Sequence, residues 1–136
     1  MECVVVDNGS RELPTELCRR FGARLSSEPT PGPGPARNHG VALSRGEILA
    51  FIDADCVAHA DWVAAIVARL HGSEPDDVLG GDVRIAVRDA GRLTPLEAYE
   101  SIFAYRQQEY IERQGFSGTG NLAMRRSVYE RVGPFA

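Results

Sequence analysis

The sequence predicts an α/β domain built on a largely parallel sheet. Residues 3–6 form a continuous apolar run, as in strands buried on both faces, and a second short apolar run, 48–52, leads into two carboxylates. Around them, apolar residues recur at helical spacing, and clusters of glycine, proline, asparagine and aspartate mark the junctions. Strands that alternate with helices in this way build βαβ units and a parallel sheet.

Taken in order, residues 3–6 are the first strand, stopped by the turn cluster Asp7-Asn8-Gly9-Ser10. Leu13, Leu17 and Phe21 then fall on one helical face, and Gly22 supplies a stop. Residues 29–35 interleave prolines and glycines, which predicts a loop, and its place inside the domain suggests that it lines a site. A short helix over 36–43 and a break at Ser44-Arg45-Gly46 lead into the second strand, 47–53. Asp61 is placed to cap a helix in which Trp62, Ile66 and Leu70 form an apolar stripe flanked by Val63 and Val67. Residues 78–87 read as a strand interrupted by Gly80-Gly81. The next helix is well marked: Thr94 is the cap, Pro95 opens the first turn and Glu97 completes a capping box. It is expected to run to about Arg113, with Tyr99, Phe103 and Tyr110 on one core-facing stripe. A glycine-rich loop over 116–121, a short strand over 122–124 and a helix over 127–132, closed by Gly133-Pro134, complete the chain.

Composition narrows the function. At 136 residues the chain makes one domain, hardly two, and it is long enough to bury a core. Apolar residues at 43% and charged residues at 25% are ordinary for a soluble protein. A net charge of −4 without a basic block argues against nucleic-acid binding. No apolar stretch reaches the roughly 18 residues of a membrane span, and the early Val4-Val5-Val6 run leaves no room for a secretory signal. Cys3, Cys18 and Cys56 are odd in number and lack metal-type spacing, so they read as reduced thiols of a cytoplasmic protein.

The chemistry concentrates at Phe51-Ile52-Asp53-Ala54-Asp55. Residues i and i+2 of a strand project to one side, with Cα atoms about 7 Å apart. Two such carboxylates repel unless a cation or hydrogen-bond donors satisfy them. A small set of hard oxygen ligands suits Mg²⁺ or Mn²⁺ that keeps positions open for water and substrate phosphates. Alone, such a pair is more often a plain acidic turn. Open α/β sheets, however, bind ligands beyond the carboxyl ends of their strands. Asp7 ends the first predicted strand and Asp53 to Asp55 the second, so the topology is expected to bring three acids to one rim. Holding a diphosphate is the function this suggests.

These residues carry a resemblance. Val4-Val5-Val6-Asp7-Asn8-Gly9-Ser10 resembles the second strand and nucleotide-contacting turn of family-2 glycosyltransferases. Ala36-Arg37-Asn38-His39-Gly40, followed by Gly46 to Asp55, is similar to that family's central signature. Gly120-Asn121-Leu122-Ala123-Met124-Arg125-Arg126 and Val132-Gly133-Pro134-Phe135 resemble its later strand-and-helix block. The resemblance implies a GT-A fold (Rossmann-like, with a mostly parallel sheet flanked by helices), a nucleoside-diphosphate sugar donor with UDP-sugar favoured, a divalent metal, Mg²⁺ or Mn²⁺, and inversion at the anomeric carbon. It also points towards cell-envelope polysaccharide as the setting.

Carried over residue by residue, the resemblance places Asp7, Asn8, Ser10, Arg37, Asn38 and Asp53 at the donor, and Asp55 with Asp53 at the metal. Asp82, Gly120 and Asn121 fall on the sugar or acceptor side. His39 and His59 match no ligand position and are expected in polar surface or helix-end roles. Family members begin with a further strand and helix and continue past Phe135-Ala136 into an acidic segment with the general base. Residues 1–136 therefore read as a single partial catalytic domain, the nucleotide-sugar-binding portion, with the base expected beyond Ala136. A missing central strand would leave backbone groups unpaired. Membrane association would come through regions outside this chain, at the cytoplasmic face.

Two other readings stay open at this point. A nucleotidyltransferase of related architecture would carry a basic, glycine-rich phosphate loop after its first strand, and none follows Val6. A non-catalytic sugar-nucleotide-binding or scaffold domain would keep the fold without turnover, and a transfer assay separates it from the enzyme.

Overall fold

The computed structural model describes residues 1–136. It divides into two compact units, one formed by 1–49 with 125–136 and the other by 50–124. In the first unit, β1 (Val4–Asp7) lies parallel to β2 (Arg24–Ser27), with Val4 opposite Arg24 and Asp7 opposite Ser27. Helix α1 (Thr15–Phe21) connects them and ends on Gly22, whose φ of 64° is the left-handed conformation that glycine adopts without penalty. Helix α2 (Pro33–Leu43) packs on β1 closely enough that a Cβ on Gly40 would sit 3.4 Å from the Val6 side chain. Cys18, Val41, Leu49 and Val128 are this unit's buried apolar residues.

The remaining elements are β3 (Ile48–Ile52), α3 (Trp62–His71), β4 (Val78–Gly80), α4 (Pro95–Phe103), α5 (Gln107–Glu109), a π-helical turn (Tyr110–Gln114), β5 (Asn121–Arg125) and α6 (Arg126–Val132). Strands β3, β5 and β4 form a second sheet in that order, in which β4 and β5 run antiparallel. The sheet content is therefore two partial sheets rather than one parallel sheet, consistent with an incomplete domain. In the second unit the buried apolar residues are Ile66, Leu70, Leu122, Ala123 and Met124.

Several expectations are corrected in detail. Strand β2 has no counterpart in the sequence pattern: Arg24-Leu25-Ser26-Ser27 has one apolar residue, and its pairing with β1 rather than its own pattern makes it a strand. Helix α2 begins inside the segment read as loop, because Gly32 caps it and Pro33 enters the first turn, where a missing N–H costs nothing. The strand expected over 78–87 ends at Gly80; after Gly81 donates to the Asn121 carbonyl at 2.9 Å, the chain leaves the sheet. The capping box of α4 forms as read, with Glu97 N–H donating to Thr94 Oγ1 at 3.2 Å and Thr94 N–H to Glu97 Oε2 at 2.8 Å.

That helix stops at Phe103 instead of reaching Arg113. Ala104 is extended and Tyr105 takes φ 53°, an unusual conformation for a side-chain-bearing residue. The break lets the buried Gln107 bind the loop, accepting from Gly118 N–H at 3.0 Å and donating to its carbonyl at 3.3 Å. The aromatic stripe divides with the helix. Tyr99 lies against Phe103, both largely exposed rather than in the core, while Tyr110 stacks on Phe116 with centroids 5.0 Å apart. Leu13, Leu17 and Phe21 are likewise exposed.

Candidate functional site

In the first unit the turn after β1 is organised by side chains. Asp7 accepts from the Gly9 and Ser10 amides, each at 3.2 Å, and Gly9 takes φ 97° to complete the turn. The Ser10 hydroxyl, and after it the two amides, hold the Asp7 carboxyl below the usual range against a smaller opposing effect of burial. Asp7 is thus an ionised acceptor with lone pairs to spare at the carboxyl end of its strand.

Asn8 and Asn38 are both hydrogen-bonded within the protein. The Asn8 amide donates to the carbonyls of Glu28 at 2.7 Å and Thr30 at 2.8 Å, and its oxygen accepts from Gly32 N–H at 2.8 Å. Both amide hydrogens are engaged within the protein, and Asn8 moulds the 28–32 loop ahead of α2. The Asn38 oxygen accepts from Tyr129 Oη and Phe135 N–H, both at 2.9 Å, and its amide donates to the Phe135 carbonyl at 2.9 Å. It fastens the chain after α6 onto α2. Arg37, its neighbour on α2, is half-buried.

The same loop has a partner set that sequence reasoning missed. Glu28 Oε1 accepts from Thr30 N–H at 2.8 Å, while Oε2 lies 3.3 Å from His39 Nδ1. His39 Nε2 meets Ser26 Oγ at 2.8 Å. His39 is thus committed to Ser26 and Glu28, a polar role as expected. The Thr30 contacts, foremost the backbone one, keep the Glu28 carboxyl below the usual range, with His39 adding to them.

In the second unit, Asp53 and Asp55 follow β3 and both are exposed. Asp53 N–H donates to the Gly120 carbonyl at 3.4 Å and its own carbonyl accepts from Cys56 N–H at 3.0 Å. A Cβ on Gly120 would sit 2.8 Å from Asp53 Oδ2, so the glycine is what gives that carboxylate its place. The Cys56 sulfur lies 3.8 Å from Asp55 Oδ1. Burial pushes the Cys56 thiol up, and the negative charges of Asp55 and Asp53 push it further. No group of three or more His, Cys, Asp or Glu side chains is gathered to hold a metal ion. His59 stays at the start of α3, its Nδ1 accepting from Asp61 N–H at 3.3 Å.

Gly81, Asp82, Gly120 and Asn121 come together at the end of the β4–β5 pair. Asn121 Nδ2 donates to the Asp82 carbonyl at 2.9 Å, and its Oδ1 accepts from Trp62 Nε1 at 2.9 Å. The Asp82 carboxylate pairs with the exposed Arg84 at 2.7 Å. In the sequence pattern Trp62 stands only as an apolar stripe residue, with no sign of this bond. Its indole N–H is the overlooked signal, since a tryptophan facing the interior brings a donor that needs an acceptor.

The family model for glycosyl transferase family 2 matches residues 1–133. The chain is 36% identical to glycosyltransferase AglE of Haloferax volcanii over 140 residues, covering 98% of this chain and 45% of that protein. Among solved structures it is similar to glucosyl-3-phosphoglycerate synthase from Mycobacterium tuberculosis. In that enzyme's complex with uridine diphosphate the TM-score is 0.60 at 27% identity, covering 91% of this chain and 45% of the other. In its complex with phosphoglyceric acid the TM-score is 0.61 at 26% identity, covering 93% and 46%. The chain thus spans a little under half the length of these relatives.

Proposed function

The chain belongs to glycosyl transferase family 2, and from that premise we propose that it is the donor-binding part of an inverting, metal-dependent sugar transferase. The donor is a nucleoside-diphosphate sugar and the acceptor a hydroxyl. A uridine nucleotide is favoured because the similar mycobacterial synthase is one solved with uridine diphosphate. The observation that carries the reading is the rim after β3, where two exposed carboxylates stand beside a glycine that makes room for one of them.

The roles follow from the chemistry of each side chain. Asp7, ionised and with free acceptor capacity, takes hydrogen bonds from the base or ribose. Ser10 and Asn8 keep the Asp7 turn and the 28–32 loop in shape for it. Arg37, near the start of α2, supplies positive charge where the helix N-terminus also favours an anion. Asp53 faces the ribose or a metal-bound water, and Asp82 lies on the sugar side. Asp55, with Asp53, fits Mg²⁺ or Mn²⁺: a pair of exposed hard oxygen ligands leaves the other positions to water and phosphate. Such an ion supplies charge that stabilises the departing diphosphate. The acceptor hydroxyl approaches from the face opposite that diphosphate, which gives inversion. None of the acids in residues 1–136 is assigned to deprotonate it. No helix is long and apolar enough to cross a membrane; the proposal sets the enzyme in the cytoplasm, with any membrane association supplied from outside this segment.

Calorimetry on the full-length protein tests the reading. Uridine diphosphate is expected to bind in a Mn²⁺-dependent manner, and Asp55→Ala to remove that dependence. Binding unaffected by Asp55→Ala would reject the metal role.

A further inference from the structure

The second unit contains a hydrogen-bonded lock that no ligand role explains. Asn121 has its oxygen on the Trp62 indole N–H and its amide on the Asp82 carbonyl, each at 2.9 Å. Its backbone carbonyl accepts from Gly81 N–H at 2.9 Å. Gly81 is the only kind of residue that admits this side chain, since a Cβ there would collide with the Asn121 amide group. The residue just before Asn121 is Gly120, whose carbonyl receives Asp53 N–H and on which a Cβ would sit only 2.8 Å from Asp53 Oδ2. One side chain therefore ties together α3, the Gly81-Asp82 segment and the strand start that abuts the acidic rim.

We propose that Asn121 is a positioning residue held by Trp62, and that this pair sets the Asp53 carboxylate for the donor instead of Asn121 touching the sugar. The physical argument is one of satisfied valences. The Asn121 oxygen and one amide hydrogen are engaged within the protein, and the side chain is packed against a glycine chosen for its lack of bulk. An amide fixed on both polar atoms makes a rigid spacer. Freed from Trp62, it can rotate, and Gly120 and Asp53 lose their fixed register. The inference rests on the donor reading above.

The test uses the full-length protein with Trp62→Phe, Asn121→Ala and the double variant, and two readouts. The indole N–H resonance of Trp62, assigned in the full-length protein by its loss in Trp62→Phe, reports the lock itself. Asn121→Ala is expected to move that resonance. In calorimetry with uridine diphosphate and Mn²⁺, Trp62→Phe, which keeps the ring and loses the donor, is expected to weaken binding about tenfold. The double variant is expected to bind no more weakly than Asn121→Ala alone, with all three variants still folded at the assay temperature. Asn121→Asp, which retains the acceptor for the indole, is expected to restore part of the loss. An unmoved resonance in Asn121→Ala, or Trp62→Phe binding within twofold of the parent, would overturn the proposal. So would additive losses in the double variant. A parent protein that binds no nucleotide, with the resonance still moving in Asn121→Ala, would instead keep the lock and overturn the donor reading and the positioning role that depends on it.

Discussion

Gly120→Ala is the substitution whose consequence the structure fixes best. Gly120 is not in the left-handed region, so alanine brings no backbone strain. Its Cβ would arrive 2.8 Å from Asp53 Oδ2 and 3.4 Å from Asp53 Cγ. An ordinary carbon–oxygen contact begins near 3.3 Å, so the carboxylate must retreat by about half an ångström. Asp53 is exposed and can swing outward, so fold stability is expected to change by less than about 1 kcal/mol. Under the proposed function, donor binding depends on where that carboxylate sits. A charge-assisted hydrogen bond accepted by the Asp53 carboxylate is worth about 1.5–3 kcal/mol. Its loss corresponds to roughly ten- to hundredfold weaker donor binding. Thermal denaturation and calorimetry with uridine diphosphate and Mn²⁺ on the same preparation separate the two effects. A Gly120→Ala protein with unaltered melting temperature and unaltered affinity would refute the link between that glycine, Asp53 and the donor.

Two further predictions concern stability. Arg126 donates from Nε to the Gly46 carbonyl at 2.8 Å, from Nη2 to Ser44 Oγ at 2.7 Å and from Nη1 to the Val41 carbonyl at 3.4 Å. Arg126→Ala removes the guanidinium from the half-buried Gly46 carbonyl and Ser44 Oγ, while the Val41 carbonyl keeps its bonds from Ser44 N–H and Oγ, and is expected to cost about 3 kcal/mol, a fall of roughly 10 °C in melting temperature, with Lys restoring only part; a change under about 2 °C would contradict this. Acid should also weaken the loops around the site. Asp7 and Glu28 have carboxyls lowered in the folded state from ordinary values of 3.8 and 4.5, so their contribution is complete above those values and is lost as pH falls through the depressed ones. Melting temperature is expected to hold down to about pH 5 and fall below pH 4, and to fall less steeply in Asp7→Asn; equal slopes would assign the acid sensitivity elsewhere.

What was legible in the sequence was whatever depends on local chemistry. The capping box at Thr94 and Glu97, the apolar runs of β1 and β3 and the glycine stop after α6 are written in residues that act on their immediate neighbours. What was not legible depends on distant partners. Strand β2 exists because β1 offers it an edge, and α4 breaks at Tyr105 so that Gln107 can reach Gly118. The family blocks contain the two exposed carboxylates after β3 but do not mark which of their side chains are engaged within the protein. Asn8, Asn38 and Asn121 all lie inside signature segments, and each spends its amide on the protein. An asparagine looks the same in sequence whether its partners are a nucleotide or a backbone carbonyl.

The most direct test is a crystal structure of the full-length protein with uridine diphosphate and Mn²⁺, using the anomalous signal of the metal. A manganese peak bonded to the Asp55 carboxylate at about 2.1 Å, with the base or ribose on Asp7, is the predicted result. A nucleotide bound away from Asp7, or a metal with no contact to Asp55 or Asp53, would contradict the account.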